Sequence, residues 1–268
     1  MNDIRLYENV PELKNSAGIK VRKYKATWFG QHWHEHIELL HILRGGGRFV
    51  CGATVFSASE GETVAVNSNE LHAMTGGDAE YICIIISPEI LAEVSSENTI
   101  FRSAIPRDKY VSQRFEKIFE EYTAHRLGAE LAIRGEVCLL AVYMMRNYAA
   151  AHLSDYEYGL HLTRMKKANA ILDFIGEHYA EPLGAAELAA KFFVSESHLC
   201  RIFKNAVGMT VTEYINRFRT EKAAVLLKNT DESVTEIAAE CGFENLNYFS
   251  RIFRRYKGMT PSQFRQFS

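Results

Sequence analysis

The sequence predicts a two-domain α+β protein. A small N-terminal β-barrel with two following helices precedes an all-α C-terminal domain with two helix-turn-helix motifs. Three observations predict this. Short β-rich runs separated by glycine-containing turns fill the first hundred or so residues, helical apolar spacing replaces them, and the final segment contains an internal repeat. The expected boundaries are 1–105 for the barrel, 106–153 for a helical pair, 154–162 for a linker and 163–268 for the repeat domain.

In chain order, Ile37-Glu38-Leu39-Leu40-His41-Ile42-Leu43 reads as an apolar strand ending at Gly45-Gly46-Gly47. Arg48-Phe49-Val50 and Ala53-Thr54-Val55-Phe56 flank Cys51-Gly52, a hairpin signal. Thr63-Val64-Ala65-Val66 follows Gly61, and Tyr81 to Ile86 reads as a buried strand stopped before Pro88. Regularly spaced short strands suggest a barrel or sandwich. Val111, Phe115, Ile118, Phe119 and Tyr122 then recur at helix spacing, as do Ile133, Val137, Leu140 and Met144. These helices are apolar on more than one face, so one is also a candidate to pack against a second copy in a homodimer. Ser154 to Gly159 breaks the apolar pattern and reads as the linker.

Composition excludes several classes. Hydrophobic residues are 47% and charged residues 24%, an ordinary globular mix. Met1 to Val10 has no apolar run of the kind a signal peptide carries, and no stretch is long enough to span a bilayer. The five cysteines are scattered without a Cys-x-x-Cys pair, so neither a disulfide framework nor a zinc finger is expected, and the reading is a cytoplasmic protein with reduced thiols and no membrane partner. The net charge of −2 hides an asymmetry: from Thr163 onward there are 15 Lys and Arg against 12 Asp and Glu. That half is the one drawn to a polyanion.

The repeat is the most specific feature. Glu187-Leu188-Ala189-Ala190 returns as Glu236-Ile237-Ala238-Ala239, Arg201-Ile202-Phe203-Lys204 as Arg251-Ile252-Phe253-Arg254, and Gly208-Met209-Thr210 as Gly258-Met259-Thr260. The offset grows from 49 to 50, which places one extra residue in the turn of the second copy. Ser195 and Asn245 are the expected N-caps of two recognition helices, with core stripes Leu199, Ile202, Phe203 and Phe249, Ile252, Phe253. Thr210-x-x-Glu213 and Ser233-x-x-Glu236 are capping boxes, Gly242 suits a helix C-terminus, and Pro261 opens the last helix. A helix from about Val211 to Lys228 would join the copies over about 27 Å, close to the ~34 Å between successive major-groove faces of a duplex. Residues projecting away from the core are candidate readers: Arg201 and Arg251 suit guanine, and Asn247 suits adenine. Lys204, Arg254, Arg255 and Lys257 suit phosphates.

Here the chain resembles the AraC/XylS family of transcription regulators. The resemblance is strong from about Thr163 to Phe267 and rests on Gly242-Phe243-Glu244-Asn245, Tyr248-Phe249-Ser250-Arg251-Ile252-Phe253-Arg254, Gly258-Met259-Thr260-Pro261-Ser262 and Phe264-Arg265. It implies base reading by Ser197, Cys200 and Arg201 in the first copy and by Asn247, Tyr248 and Arg251 in the second. It implies double-stranded DNA with operator half-sites as partner, a small-molecule effector, a homodimer, transcription control with activation and repression both open, and RNA polymerase as a further partner. Cys200 is a weak hydrogen-bonder, so the first copy is expected to read mainly through Arg201.

In the first domain, His32-Trp33-His34-Glu35-His36-Ile37-Glu38 followed by Gly45, then Gly61 and Asn67-Ser68-Asn69 with His72, resemble the two motifs of the cupin superfamily. The resemblance implies a cupin-like barrel in which His32, His34, Glu38 and His72 stand where enzymes hold a divalent metal. Asn67 and Asn69 replace the motif's Pro and Gly, and Thr75 replaces its Asn, which argues against catalysis. A regulator needs no cofactor here, so the cluster reads either as a divalent-metal site or as a hydrogen-bonded pocket. His36 and His41 fall outside the spacing. Trp33, Phe49 and Phe56 are candidate aromatic walls of an effector pocket, and Arg22, Arg44 or Arg48 could meet a polar or anionic group on a sugar, an acid or a drug-like effector. The alternative function is a metal-dependent cupin enzyme with a helical appendage.

Overall fold

A computed structural model describes residues 6–14, 18–95 and 98–266. The chain forms two compact units, one of residues 6–169 and one built from residue 170 onward.

In the first unit, β1 (Ile19–Ala26), β6 (His72–Ile86), β3 (Ile37–Cys51), β5 (Thr63–Val66) and β8 (Ala104–Ile105) are neighbours in that order in one antiparallel sheet. A short strand β2 (Phe29–His32) adds to β6, and β4 (Thr54–Ser59) adds to β3. Side-chain alternation sorts the two faces. Leu40, Ile42, Phe49, Met74, Tyr81, Cys83 and Ile85 fill the interior. Ile37, Leu39, Ile82, Ile84 and Ile86 point outward, where α2 (Lys109–Ala124) and α3 (Ala129–Asn147) cover them with Val111, Phe115, Ile118, Ile133, Val137 and Leu140. The end of β6 is therefore buried on both faces, which is why its sequence is a continuous apolar run. A helix α1 (Pro88–Val94) follows β6, and a separate ribbon pairs β7 (Asn98–Phe101) with β9 (Ala149–Leu153).

Three sequence expectations are corrected. Gly45-Gly46-Gly47 does not end a strand, because β3 passes through it with irregularities on either side. Glycine is needed there for closeness: a Cβ on Gly46 would lie 2.5 Å from the Ala58 carbonyl oxygen, and one on Gly47 would lie 2.3 Å from Met74 Cε. The hairpin turn itself is Gly52-Ala53, one residue beyond the expected pair. Residues 154–162 are not an extended linker either. They begin α4 (Asp155–His178), and the division between units falls within that helix. The reason is a capping box: Ser154 N and Oγ both donate to the Glu157 carboxylate, while Glu157 N donates to Ser154 Oγ.

In the second unit, α5 (Ala185–Lys191) and α6 (Glu196–Val207) form the first helix-turn-helix, and α8 (Val234–Glu240) and α9 (Leu246–Lys257) form the second. α7 (Val211–Asn229) joins them and α10 (Pro261–Gln266) closes the chain. Ser195 caps α6 through the His198 amide, and Asn245 caps α9 through the Tyr248 amide. Both expected capping boxes form, at Thr210 with Glu213 and at Ser233 with Glu236. Phe249, Ile252 and Phe253 pack with Ala223, Leu227, Ile237 and Phe243 in the second copy. Leu199, Ile202 and Phe203 are buried likewise in the first.

Candidate functional sites

The candidate readers lie on the outer faces of the two recognition helices. On α6, Ser197, Cys200, Arg201 and Lys204 are all exposed, since they fall between the turns occupied by Leu199, Ile202 and Phe203. On α9, Asn247, Arg251, Arg254 and Arg255 are exposed in the same way. Tyr248 differs. It is half-buried, its hydroxyl accepts a 2.8 Å hydrogen bond from Asn216 Nδ2 on α7, and Arg251 lies 5.3 Å above its ring. Lys257 is also partly withdrawn, held 2.5 Å from Glu221. In the first copy, Arg201 donates a 3.0 Å hydrogen bond to Nδ1 of His198, the residue that matches Tyr248. Each arginine thus rests on a ring three residues before it.

The barrel brings the four expected residues together. Ligand atoms of His32, His34, Glu38 and His72 all lie within 4.8 Å of one another. Glu38 points inward because it shares the parity of Leu40 and Ile42 on β3, and His72 shares that of Met74 on β6. His32 ends β2, while His34 stands in the loop after it, not on the strand. That loop is fixed by the Asn67-Ser68-Asn69 turn: Asn69 N donates to His34 O, and Ser68 Oγ donates to Glu35 O. Asn69 has φ +61°, so asparagine here adopts the left-handed conformation that the motif's glycine would supply. Asn67 is a clip, exchanging hydrogen bonds with the Phe101 backbone.

The proton balance of the cluster is unusual. His32, His34 and His72 place Nδ1 against the carbonyl oxygens of Gly30, His36 and Glu70 at 3.0, 3.1 and 2.9 Å. Their Nε2 atoms face carboxylate oxygens: Glu38 Oε2 at 3.2 Å from His34 and 3.0 Å from His72, and Glu8 Oε2 at 3.1 Å from His32. Every one of these ring nitrogens meets an oxygen that can only accept, while a neutral imidazole carries one proton. His34 and His72 are each 1% exposed. Burial pushes the His72 imidazole down to about 4, so a second proton is disfavoured there. Burial would raise the Glu38 carboxyl, but its close contacts with the His34 and His72 imidazoles hold it well below the usual carboxylate range. The Nε2 atom of His72 is a buried polar atom left without a satisfactory hydrogen-bond partner.

A divalent cation between the Nε2 atoms and Glu38 resolves this imbalance. Ligand atoms about 2.1 Å from a common ion stand about 3.0 Å apart at right angles and about 3.4 Å apart in a tetrahedron, which brackets the contacts to Glu38. The carbonyls on Nδ1 are the outer partners that orient metal-binding imidazoles. The donor types and the two contacts to Glu38 therefore fit a borderline divalent metal. Two further groups had no sequence signal: Cys83, whose thiol donates to Glu38 Oε1 at 3.0 Å, and Glu8, which arrives from the N-terminal segment.

The expected pocket residues are dispersed. Trp33 is half-buried and packs on Tyr7 with ring centroids 4.7 Å apart. Arg44 is exposed opposite Glu80, and Arg48 is exposed opposite Gly76. Arg22 bonds the Tyr122 hydroxyl at 2.6 Å under α2. Phe49 is buried in the barrel filling, with Phe56 packed against it, whereas Phe29 packs edge-on to His32 and His72. His41 faces outward, stacked on Phe115 of α2 and bonded to Thr63, and burial pushes its imidazole down to about 4.

Comparison with known proteins matches both halves. Residues 188–266 match the model of a helix-turn-helix domain, and residues 21–163 match that of an AraC-like ligand binding domain. The HTH-type transcriptional activator RhaS of Citrobacter koseri is 41% identical over 249 residues, covering 89% of this chain and 88% of its own length. The HTH-type transcriptional regulator YdeC of Bacillus subtilis, described as uncharacterized, is 24% identical over 292 residues and covers 99% of each chain. The similarly described regulator YijO of Escherichia coli is 39% identical over 97 residues, 36% of this chain and 34% of its own.

Proposed function

The chain belongs to the AraC family of transcription regulators, and from that premise we propose that its barrel holds a divalent metal and gates DNA binding in response to a small-molecule effector. The family membership itself establishes a DNA-binding regulator with a ligand-binding domain, not an enzyme, so the reading as a cupin enzyme with a helical appendage is set aside.

On the DNA side, Arg201 and Arg251 read base edges from adjacent major grooves, with Ser197, Cys200 and Asn247 beside them. Lys204, Arg254 and Arg255 contact phosphates. The observation that carries this is the matched placement of two exposed arginines on two equally capped helices. Tyr248 is better placed to support Arg251 than to read a base, because its hydroxyl is already engaged by Asn216. Lys257 contacts phosphate only by exchanging its partner Glu221.

On the sensory side, His32, His34, Glu38 and His72 hold the ion, which offers an electrophilic position to an oxygen-bearing ligand, a sugar or an organic acid. Regulation requires the ligand to bind two states of the protein unequally. The functional unit is a homodimer, for which the exposed apolar stripe Leu131, Gly135 and Leu139 on α3 is the favoured contact. Activation through RNA polymerase follows the relatives named as activators. Among the described residues no helix is long and apolar enough to cross a membrane, in keeping with action on DNA in the cytoplasm.

Two measurements test the reading. Metal analysis of the purified full-length chain should give about one divalent ion per protomer, lost in the His34→Ala/His72→Ala double variant. Gel-shift on DNA from its own upstream region should show specific binding that Arg201→Ala/Arg251→Ala abolishes. A chain that binds its operator equally well with and without both arginines overturns the assignment.

A further inference from the structure

Glu8 stands beside the metal cluster although it lies 24 positions before His32 in the chain. Its position is built, not incidental. Glu8 N donates to Trp33 O at 2.9 Å and Trp33 N donates to Leu6 O at 2.7 Å, which ties the segment parallel to the histidine motif. Tyr7 packs on the Trp33 ring from the same segment. The tie sets Glu8 Oε2 3.1 Å from His32 Nε2, the ring nitrogen left after Nδ1 has taken the Gly30 carbonyl. That is the same contact, at the same separation, that Glu38 makes with His34 and His72.

Exposure separates Glu8 from the other ligands. The side chains of His34, His72 and Glu38 are 1%, 2% and 11% exposed, whereas His32 is 23% and Glu8 is 44% exposed. The Glu8 and His32 side is therefore where the cluster meets solvent and where a ligand enters. Charge points the same way. Three neutral imidazoles and one carboxylate leave a divalent ion with a net charge of about +1 in a water-poor site, and a second carboxylate brings it to neutrality.

We infer that Glu8 is a fifth, exchangeable ligand of the ion held by His32, His34, Glu38 and His72, and that the place it fills is the one taken by an oxygen-donor anion, a carboxylate or hydroxycarboxylate effector. The inference rests on the metal reading given above and sharpens the effector class. An anion replacing Glu8 preserves neutrality at the ion; a neutral sugar does not. Cys83 stays outside the sphere, because its thiol is spent on Glu38 Oε1.

The test uses cobalt(II) as the probe on the full-length chain. Cobalt affinity is measured by calorimetry and the ligand field by visible absorption, for the wild type, Glu8→Gln, Glu8→Ala and His34→Ala/His72→Ala. Glu8→Gln, which is nearly isosteric, should weaken cobalt binding about tenfold and change the visible bands, with the fold confirmed by circular dichroism. In Glu8→Ala, acetate in the millimolar range should restore the bands and recover affinity severalfold, while chloride and glucose at equal concentration should not. No thiolate-to-cobalt charge-transfer band should develop in any of them. Glu8 variants that bind cobalt with wild-type affinity and spectrum, or a Glu8→Ala spectrum indifferent to acetate, overturn the role of Glu8. Cobalt binding that is absent in the wild type, or unchanged in the histidine double variant, overturns the metal reading beneath it.

Discussion

Replacing Arg251 by alanine separates base reading from backbone attraction. The guanidinium is exposed on α9 and rests 5.3 Å over the Tyr248 ring, so it supports little of the fold. An exposed cation–π contact is worth about 0.5–1 kcal/mol, and alanine's better helix propensity offsets part of that. A bidentate arginine–guanine contact is worth about 1–3 kcal/mol of discrimination, or roughly five- to 150-fold in Kd. The assay is fluorescence anisotropy at fixed salt, on an operator recovered by selection from random DNA and on an unrelated duplex. Arg251→Ala should lose affinity only for the operator. Equal losses on both duplexes would make Arg251 a phosphate contact, and no loss would remove it from the interface.

Tyr248→Phe completes the experiment. It keeps the ring beneath Arg251 but deletes the acceptor of the Asn216 hydrogen bond, and Asn216 is 7% exposed. An unsatisfied buried amide costs about 1–3 kcal/mol. Urea unfolding should show a loss of that order while operator affinity stays within about twofold at temperatures where the variant is folded. A variant of unchanged stability that loses operator affinity would return the hydroxyl to base reading and refute the positioning role argued here.

Lys204 is exposed in the last turns of α6, and Lys204→Ala should lower the salt dependence of DNA binding by about one unit of log–log slope, uniformly across sequences; an unchanged slope removes it from the phosphate set. His41 has its imidazole pushed down to about 4 by burial, so the fold favours the neutral ring. Its contribution to stability is complete above pH about 6.5 and is lost as pH falls toward 4, at most about 3 kcal/mol. Chemical denaturation of wild type and His41→Gln across that window should show the difference shrinking as pH falls, and a pH-independent difference would contradict the burial argument.

The four-residue cluster was legible because His32, His34, Glu38 and His72 stand at the spacing of the cupin motifs. The structure adds why two of them point inward: Glu38 shares the parity of Leu40, and His72 that of Met74. The recognition helices were legible for a related reason: caps and helical stripes are local, and duplication displayed them twice. Glu8 and Cys83 carry no such signal. Each reaches the site through pairing between distant segments, and a single acid or thiol outside a motif resembles any other. The errors at Gly45-Gly46-Gly47 and Ser154 share one cause. A glycine run and a polar run both signal a break, but the first was required by the close approach of β4 and β6, and the second contained a capping box. Arg44 and Arg48 read as pocket cations because arginines near a barrel suit anions, whereas the β3 irregularities between Ile42 and Arg44 and between Arg48 and Phe49 break the alternation and leave both exposed.

The two helix-turn-helix copies differ most in the turn, where one residue is added. Phe193 in the first copy and Gly242 in the second occupy equivalent places after α5 and α8, and both are left-handed, at φ +52° and +78°. At Gly242 a Cβ would lie 2.7 Å from the Ala180 carbonyl oxygen, so the second turn is closed against backbone and glycine is obligatory. Phe193 is 95% exposed, so its ring contributes almost no packing, yet its backbone bears the left-handed strain of about 1–2 kcal/mol. Glycine there would remove that strain but add about 0.5–1 kcal/mol of unfolded-state entropy. Phe193→Gly should therefore stabilise the protein by about 0.5–1 kcal/mol, whereas Gly242→Ala should cost about 2 kcal/mol or more, since strain and the backbone clash add. Urea unfolding of the full chain measures both. An exposed aromatic kept in a strained position is the signature of a residue retained for a contact and not for the fold. If Phe193→Gly raises stability but weakens operator binding, that contact is with the DNA or with a protein bound beside it; if it lowers stability, the strain argument is wrong.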